Sequence, residues 1–150
     1  MLKKFSLVAL VTVALGFGLT SCKDEVVPES LYTRLGGITA ITSVVDQFLT
    51  NVVGDTVING SFAATVADSY RTTLLRNNLI DQICAGAGGP CQYKGKTMLA
   101  AHTGMNVTDA QFTALVGDLV AALDKFAVPT AEKTELLTIL GGMKTDIVGH

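Results

Sequence analysis

The feature that most narrows the fold is a stripe of large apolar side chains at Phe112, Leu115, Val116, Leu119, Val120, Leu123 and Phe126. Intervals of three and four place all of them on one face of a helix of about five turns. Thr108 with Gln111 three residues later predicts a capping box at the start of that helix, and Asp109 complements the positive end of its dipole. The pattern recurs from Ile38 to Val53 through Ile41, Val44, Val45, Phe48, Leu49 and Val52. A further helix is expected from about Ala64 to Cys84, with Leu74, Leu75, Leu79, Ile80 and Ile83 facing inward. Pro129 suits the first turn of a last helix, which carries Leu136, Leu137, Leu140, Met143 and Ile147 on one side. The Gly141-Gly142 pair should weaken or bend that helix. No segment alternates convincingly with period two. The chain therefore reads as an all-α domain of four substantial helices with glycine joints at Gly36-Gly37 and Gly88-Gly89.

Composition sets the limits on function. With 150 residues, 49% hydrophobic and 16% charged, the chain can build a proper core. Its formal net charge is −2 and becomes more negative if Lys3 and Lys4 are cleaved off. It has no basic stripe and no platform of stacking aromatics, which excludes nucleic acid as a partner. Lys3 and Lys4 precede an apolar run from Phe5 to Leu19, read as a secretory signal spanning residues 1–21. Leu19-Thr20-Ser21-Cys22 resembles the bacterial lipoprotein cleavage box, which makes Cys22 the expected lipidation site. Acyl chains there would hold the protein at a membrane, on the periplasmic or cell-surface side. Residues 22–30 then form a tether, with Pro28 opposing regular structure, and residues 31–150 form the folded domain.

The region from Gly86 to Val107 differs in kind from the helices. Gly86, Gly88, Gly89, Gly95, Gly104 and Pro90 prevent a long helix, yet Thr97 to His102 leaves room for one or two turns. His102 is the one histidine away from the chain end, with Met98 a turn before it. Two readings stand for it. A core histidine would be satisfied by a carbonyl. A metal-ligating histidine without Cys, Glu or His neighbours at zinc spacing would need a cofactor to supply the other ligands, as porphyrin does in heme. Ser, His and Asp form no hydrolase constellation.

From about Ser30 to Gly149 the chain resembles the group 1 truncated hemoglobins. The resemblance rests on Leu31-Tyr32-x-Arg34-Leu35-Gly36-Gly37, on Val44-Val45-Asp46-x-Phe48, and on Phe62 after Asn59-Gly60. It is densest in Gly88-Gly89-Pro90-x-x-Tyr93-x-Gly95-x-x-Met98-x-x-Ala101-His102-x-Gly104-Met105. It implies a truncated globin fold, a two-over-two helical sandwich around heme b, with His102 as the proximal iron ligand and Phe62 against the porphyrin plane. Met98, Leu75, Leu79, Ile83, Val107, Phe112 and Val116 become expected pocket walls, and Phe48, Leu49, Leu79 and Gln82 the distal ligand pocket. The implied function is binding of a diatomic gas (O2, NO or CO), with a reductase as a further partner. Storage or handover of heme, and detoxification of nitric oxide or peroxide, are the alternatives.

Two departures bear on chemistry. Where many relatives carry a tyrosine after the phenylalanine that matches Phe48, this chain has Leu49, and the distal-helix position often held by glutamine carries Leu79. The distal face is therefore expected to be poor in donors, and a charge-assisted hydrogen bond to bound dioxygen contributes roughly 1.5 to 3 kcal/mol. Cys84 and Cys91 flank the second glycine joint; in an oxidising compartment they can bridge, and otherwise they are free thiols. Lys94 and Lys96, beside the short helix, suit either heme propionates or solvent.

Overall fold

The computed structural model describes residues 28–150. The signal segment 1–21, Cys22 and most of the 22–30 tether lie outside the described residues. Among the described residues, regular structure starts where Ser30 caps α1 (Leu31–Arg34), its hydroxyl accepting from the Thr33 amide. Gly36 and Gly37 follow with φ of 89° and 71°, a left-handed corner that side chains other than glycine rarely adopt. That corner turns the chain into α2 (Gly37–Gly54), which buries Ile41, Val44, Val45, Phe48 and Val52 along one face.

The expected helix from about Ala64 to Cys84 is two helices, α3 (Asn59–Val66) and α4 (Ser69–Gly86). Asp68 separates them. Its backbone is extended and its carboxylate accepts from the Tyr70 and Arg71 amides, satisfying donors that a continuous helix would have paired internally. After α4 come an irregular stretch, the short α5 (Met98–His102) capped by Thr97, and α6 (Asp109–Lys125). The Thr108–Gln111 capping box is formed at both bonds, 3.2 Å and 2.9 Å. Pro129 stands at the N-cap of α7 (Thr130–Gly141), which ends at the glycine pair before a 3-10 turn, Lys144–Asp146. Among the described residues the only β-type pairing is an isolated bridge between Val107 and Val148.

Helix α2 is the centre of the packing, with its main contacts against α6 and α4. The core runs from Leu31 through the α2 face to Ile80, Ile83 and Cys84 of α4, Leu119, Ala122 and Leu123 of α6, and Leu136 of α7. Leu74 and Phe126, expected to face inward, are 47% and 45% exposed; Leu74 lines an open cavity beside α4 rather than the buried core, and Phe126 is the C-cap residue where α6 stops. Arg34 of α1 pairs with Glu132 and Glu135 of α7. Arg76 of α4 pairs with Asp46 of α2, and this bond, against the opposing effect of burial, holds the Asp46 carboxyl below its ordinary value. These pairs are largely solvent-exposed, so they set register more than stability.

Asp118 of α6 is the opposite case. Burial, and then the charge of Asp55, raise its carboxyl above the ordinary value, and its Oδ2 is buried without a hydrogen-bond partner. The ionised form is therefore disfavoured in the folded state, a penalty present above the folded pKa and absent once pH falls below the unfolded value of 3.8. Asp118→Asn should raise the thermal midpoint at pH 7, with the advantage fading as the melt is repeated below that pH. Thr108→Ala, which removes the capping-box acceptor, should destabilise by about 1 kcal/mol in urea unfolding.

Candidate functional site

A cavity of about 500 Å³ opens between α4, α5, α6 and α7, within the usual range for cofactor sites. One wall is α4, through Leu74, Leu75, Asn78, Leu79, Gln82 and Ile83. Phe112, Leu115, Val116 and Leu119 of α6 form another, with Leu137 and Leu140 of α7 beside them. Phe48 of α2 and Phe62 of α3 close one end, while Met98, Ala101, His102 and Met105 bring in α5 and the turn after it. Arg71, Tyr93 and Lys96 also line it, and Met143 and Ile147 come from beyond α7.

His102 is set by its own helix. Its Nδ1 lies 2.7 Å from the Met98 carbonyl oxygen one turn earlier. A carbonyl only accepts, so Nδ1 carries the proton, and in the neutral ring the lone pair is on Nε2. The carbonyl-bonded reading and the ligand reading of His102 are thus the same geometry: one nitrogen is satisfied by the backbone, and the other belongs to a ring in the cavity wall. Second-shell bonds of this kind fix the tautomer of metal-bound histidines. Among the described residues no cluster of three or more His, Cys, Asp or Glu can hold a metal. A metal at His102 would need a cofactor for its remaining ligands, and the cavity supplies apolar walls for such a ring system, with two cations in its lining, Lys96 and Arg71, the latter paired with Asp68 at 3.6 Å.

Gln82 donates from Nε2 to the sulfurs of Met98 and Met143, at 3.3 Å and 3.1 Å. Tyr93 donates to the Lys96 carbonyl at 2.8 Å, and its partial burial raises the phenol above its ordinary pKa. Gly95 lies so close under the Tyr93 ring that a Cβ there would come within 2.3 Å of the hydroxyl. Cys84 and Cys91 are joined as a disulfide with Cα atoms 5.7 Å apart. Gly89 runs directly over it, with its amide donating to the Cys84 carbonyl and no room for a Cβ.

Of the residues expected at the site, Phe48, Phe62, Leu75, Leu79, Gln82, Ile83, Met98, His102, Phe112 and Val116 meet around this cavity. Leu49 and Val107 do not. Leu49 packs half-buried on the core face of α2, and the Val107 backbone is occupied by pairing with the chain end at Val148 and Gly149. Leu115 was readable from the α6 stripe but was not assigned to the pocket. Arg71 had no such signal, since the apolar spacing does not mark the cap at Asp68 that precedes it, whereas Met143 belongs to the apolar side expected of the last helix, which stops at Gly141 before it. A smaller apolar cavity of about 220 Å³ lies between α2, α6 and α7, with Ile83 in its wall as well, and holds no titratable group.

The model of the bacterial-like globin family matches residues 30–148. The group 1 truncated hemoglobin of Tetrahymena pyriformis is 30% identical over 81% of this chain and 97% of its own length. The crystal structure of that organism's truncated hemoglobin in the Fe(III) form superposes with a TM-score of 0.74 at 28% identity, covering 81% of this chain and all of the other. A 2/2 hemoglobin from Synechococcus, solved in the cyanomet state with covalently attached heme, gives 0.73 at 28% identity over the same share of this chain and all of its own. The chain belongs to the bacterial-like globin family, as a group 1 truncated hemoglobin.

Proposed function

We propose that this globin binds heme b in the 500 Å³ cavity through Nε2 of His102, takes up a diatomic gas there, and works at a membrane outside the cytoplasm with a reductase as redox partner. The observation that carries the reading is the His102 ring, with Nδ1 committed to the Met98 carbonyl and Nε2 left as a ligand in the wall of an apolar cavity. Heme supplies the iron that takes the gas reversibly; the protein supplies ligation, exclusion of water and access.

Each part of the wall has a task. The Met98 carbonyl keeps the His102 ring in one tautomer and orientation, so the ligand is organised before the cofactor arrives. Phe48, Leu75 and Leu79 present hydrocarbon, which keeps water out but offers a bound gas no hydrogen bond. The Gln82 amide is held by two thioether sulfurs. Arg71 and Lys96 provide the cations for propionate carboxylates. The distal chemistry thus favours ligands that need no donor, carbon monoxide and nitric oxide, over dioxygen.

Anchoring rests on Cys22 and the apolar run before it, which lie outside the described residues. Supporting it are the folded domain's start at Ser30, a short tether beyond Cys22, and the Cys84–Cys91 disulfide, a bond at home in oxidising compartments. Among the described residues no helix is long and apolar enough to cross a membrane.

Absorption spectra of the purified protein should show a histidine-ligated heme that His102→Ala alters or loses; identical spectra would remove the assignment. Leu79→Gln should slow dioxygen release about tenfold to a hundredfold in stopped-flow measurements while leaving carbon monoxide nearly unchanged. Equal effects on both gases would show that position 79 does not face the ligand.

A further inference from the structure

We propose that reduction of the Cys84–Cys91 disulfide by an external dithiol loosens the wall that carries His102, so that this bond controls how firmly the site holds its cofactor. The inference deepens the heme reading and rests on it. Residues 90–96, among the described residues, make no backbone–backbone hydrogen bond. Their one internal tie is the Tyr93 hydroxyl to the Lys96 carbonyl. Up to Gly89 the chain is held by the bond to the Cys84 carbonyl; beyond it, the covalent hold on α4 is the Cys91 sulfur.

That hold closes a ring through the site. From Cys84 the path crosses the disulfide to Cys91, follows the unpaired stretch past Tyr93 to Met98, and returns through the Met98 sulfur to the Gln82 amide, on the same helix as Cys84. The carbonyl of Met98 is the group that orients His102. The one non-covalent closure of the ring, from the Gln82 amide to the Met98 sulfur, is weak, since a thioether is a poor acceptor. Cutting the disulfide therefore leaves the α4 side of α5 to packing and one amide–sulfur contact, while the chain after α5 stays paired with the chain end at Val148 and Gly149.

The chemistry balances with a dithiol as reductant. Cys84 is fully buried, whereas Cys91 is only partly so. A thiolate of the dithiol attacks the Cys91 sulfur, the sulfur–sulfur bond breaks, and Cys84 leaves as a thiolate that takes up a proton. The second thiol of the reagent then displaces Cys91, forming the reagent's own disulfide. Two electrons and two protons pass to the protein pair.

The test uses the full-length protein in detergent, oxidised, reduced with dithiothreitol, and as the Cys84→Ser/Cys91→Ser double variant. Amide hydrogen exchange by mass spectrometry should show protection in residues 90–104 falling about tenfold on reduction, with α6 unchanged. Heme transfer to excess apomyoglobin should accelerate about tenfold, and the double variant should behave as the reduced protein and ignore dithiothreitol. Reduced wild type keeps the test valid if the double variant does not fold. Exchange unaltered by reduction, or free thiols at Cys84 and Cys91 in protein isolated without reductant, would overturn the proposal. Faster exchange with unchanged heme transfer would overturn the coupling to the site. Exchange measured on heme-free protein separates these outcomes from a failure of the His102 assignment, which would leave the loosening intact.

Discussion

The bond from His102 Nδ1 to the Met98 carbonyl is the constraint around which the site is arranged. An imidazole in an apolar wall has two nitrogens to account for, and leaving both without partners would be unfavourable. Here the helix that presents the ring also satisfies half of it. That requires the ring and the carbonyl to be one turn apart on a segment free of other obligations, which explains why α5 is short, capped by Thr97 and set between glycine-bearing loops. The long helices can then pack for stability while α5 is positioned for ligation.

Stability and site draw on the same apolar faces. The α2 stripe that anchors the core includes Phe48, which also lines the cavity, and Ile83 is both buried core and cavity wall. Core packing therefore sets the shape of the pocket without a separate scaffold. Polar groups are kept to the margins of this arrangement. The exception is Asp118, whose unpartnered oxygen lies away from the cavity, at the junction of α6 with the end of α2 near Asp55.

Legibility from sequence followed the locality of the signal. The α6 stripe and its capping box are determined by residues within a few positions of one another, and they read correctly up to the helix end at Phe126; the last helix, expected to bend at the glycine pair and carry Met143 and Ile147, instead stops there. The break at Asp68 was not legible, because the apolar spacing runs smoothly across it and an aspartate announces a cap only when the turn before it is already known to end. Leu49 and Val107 were placed in the pocket by their position in a pattern shared with relatives; which face of α2 meets the core, and where the chain end lies, are long-range facts. Met143, expected on the apolar side of the last helix, reaches the cavity from beyond it, because α7 ends at Gly141 and the chain turns.

The break between α3 and α4 has a geometric consequence. Successive residues of an α-helix advance by about 100°. On one continuous helix Phe62 and Leu75 would differ in direction by about 220°, and one would face away from whatever the other touched. The non-helical residues around Asp68 reset that phase and turn the axis, so both side chains converge on one space. A single acidic cap thus replaces what would be a straight rod with two opposed apolar faces by two helices, and brings Phe62 of α3 to the cavity that α4 lines.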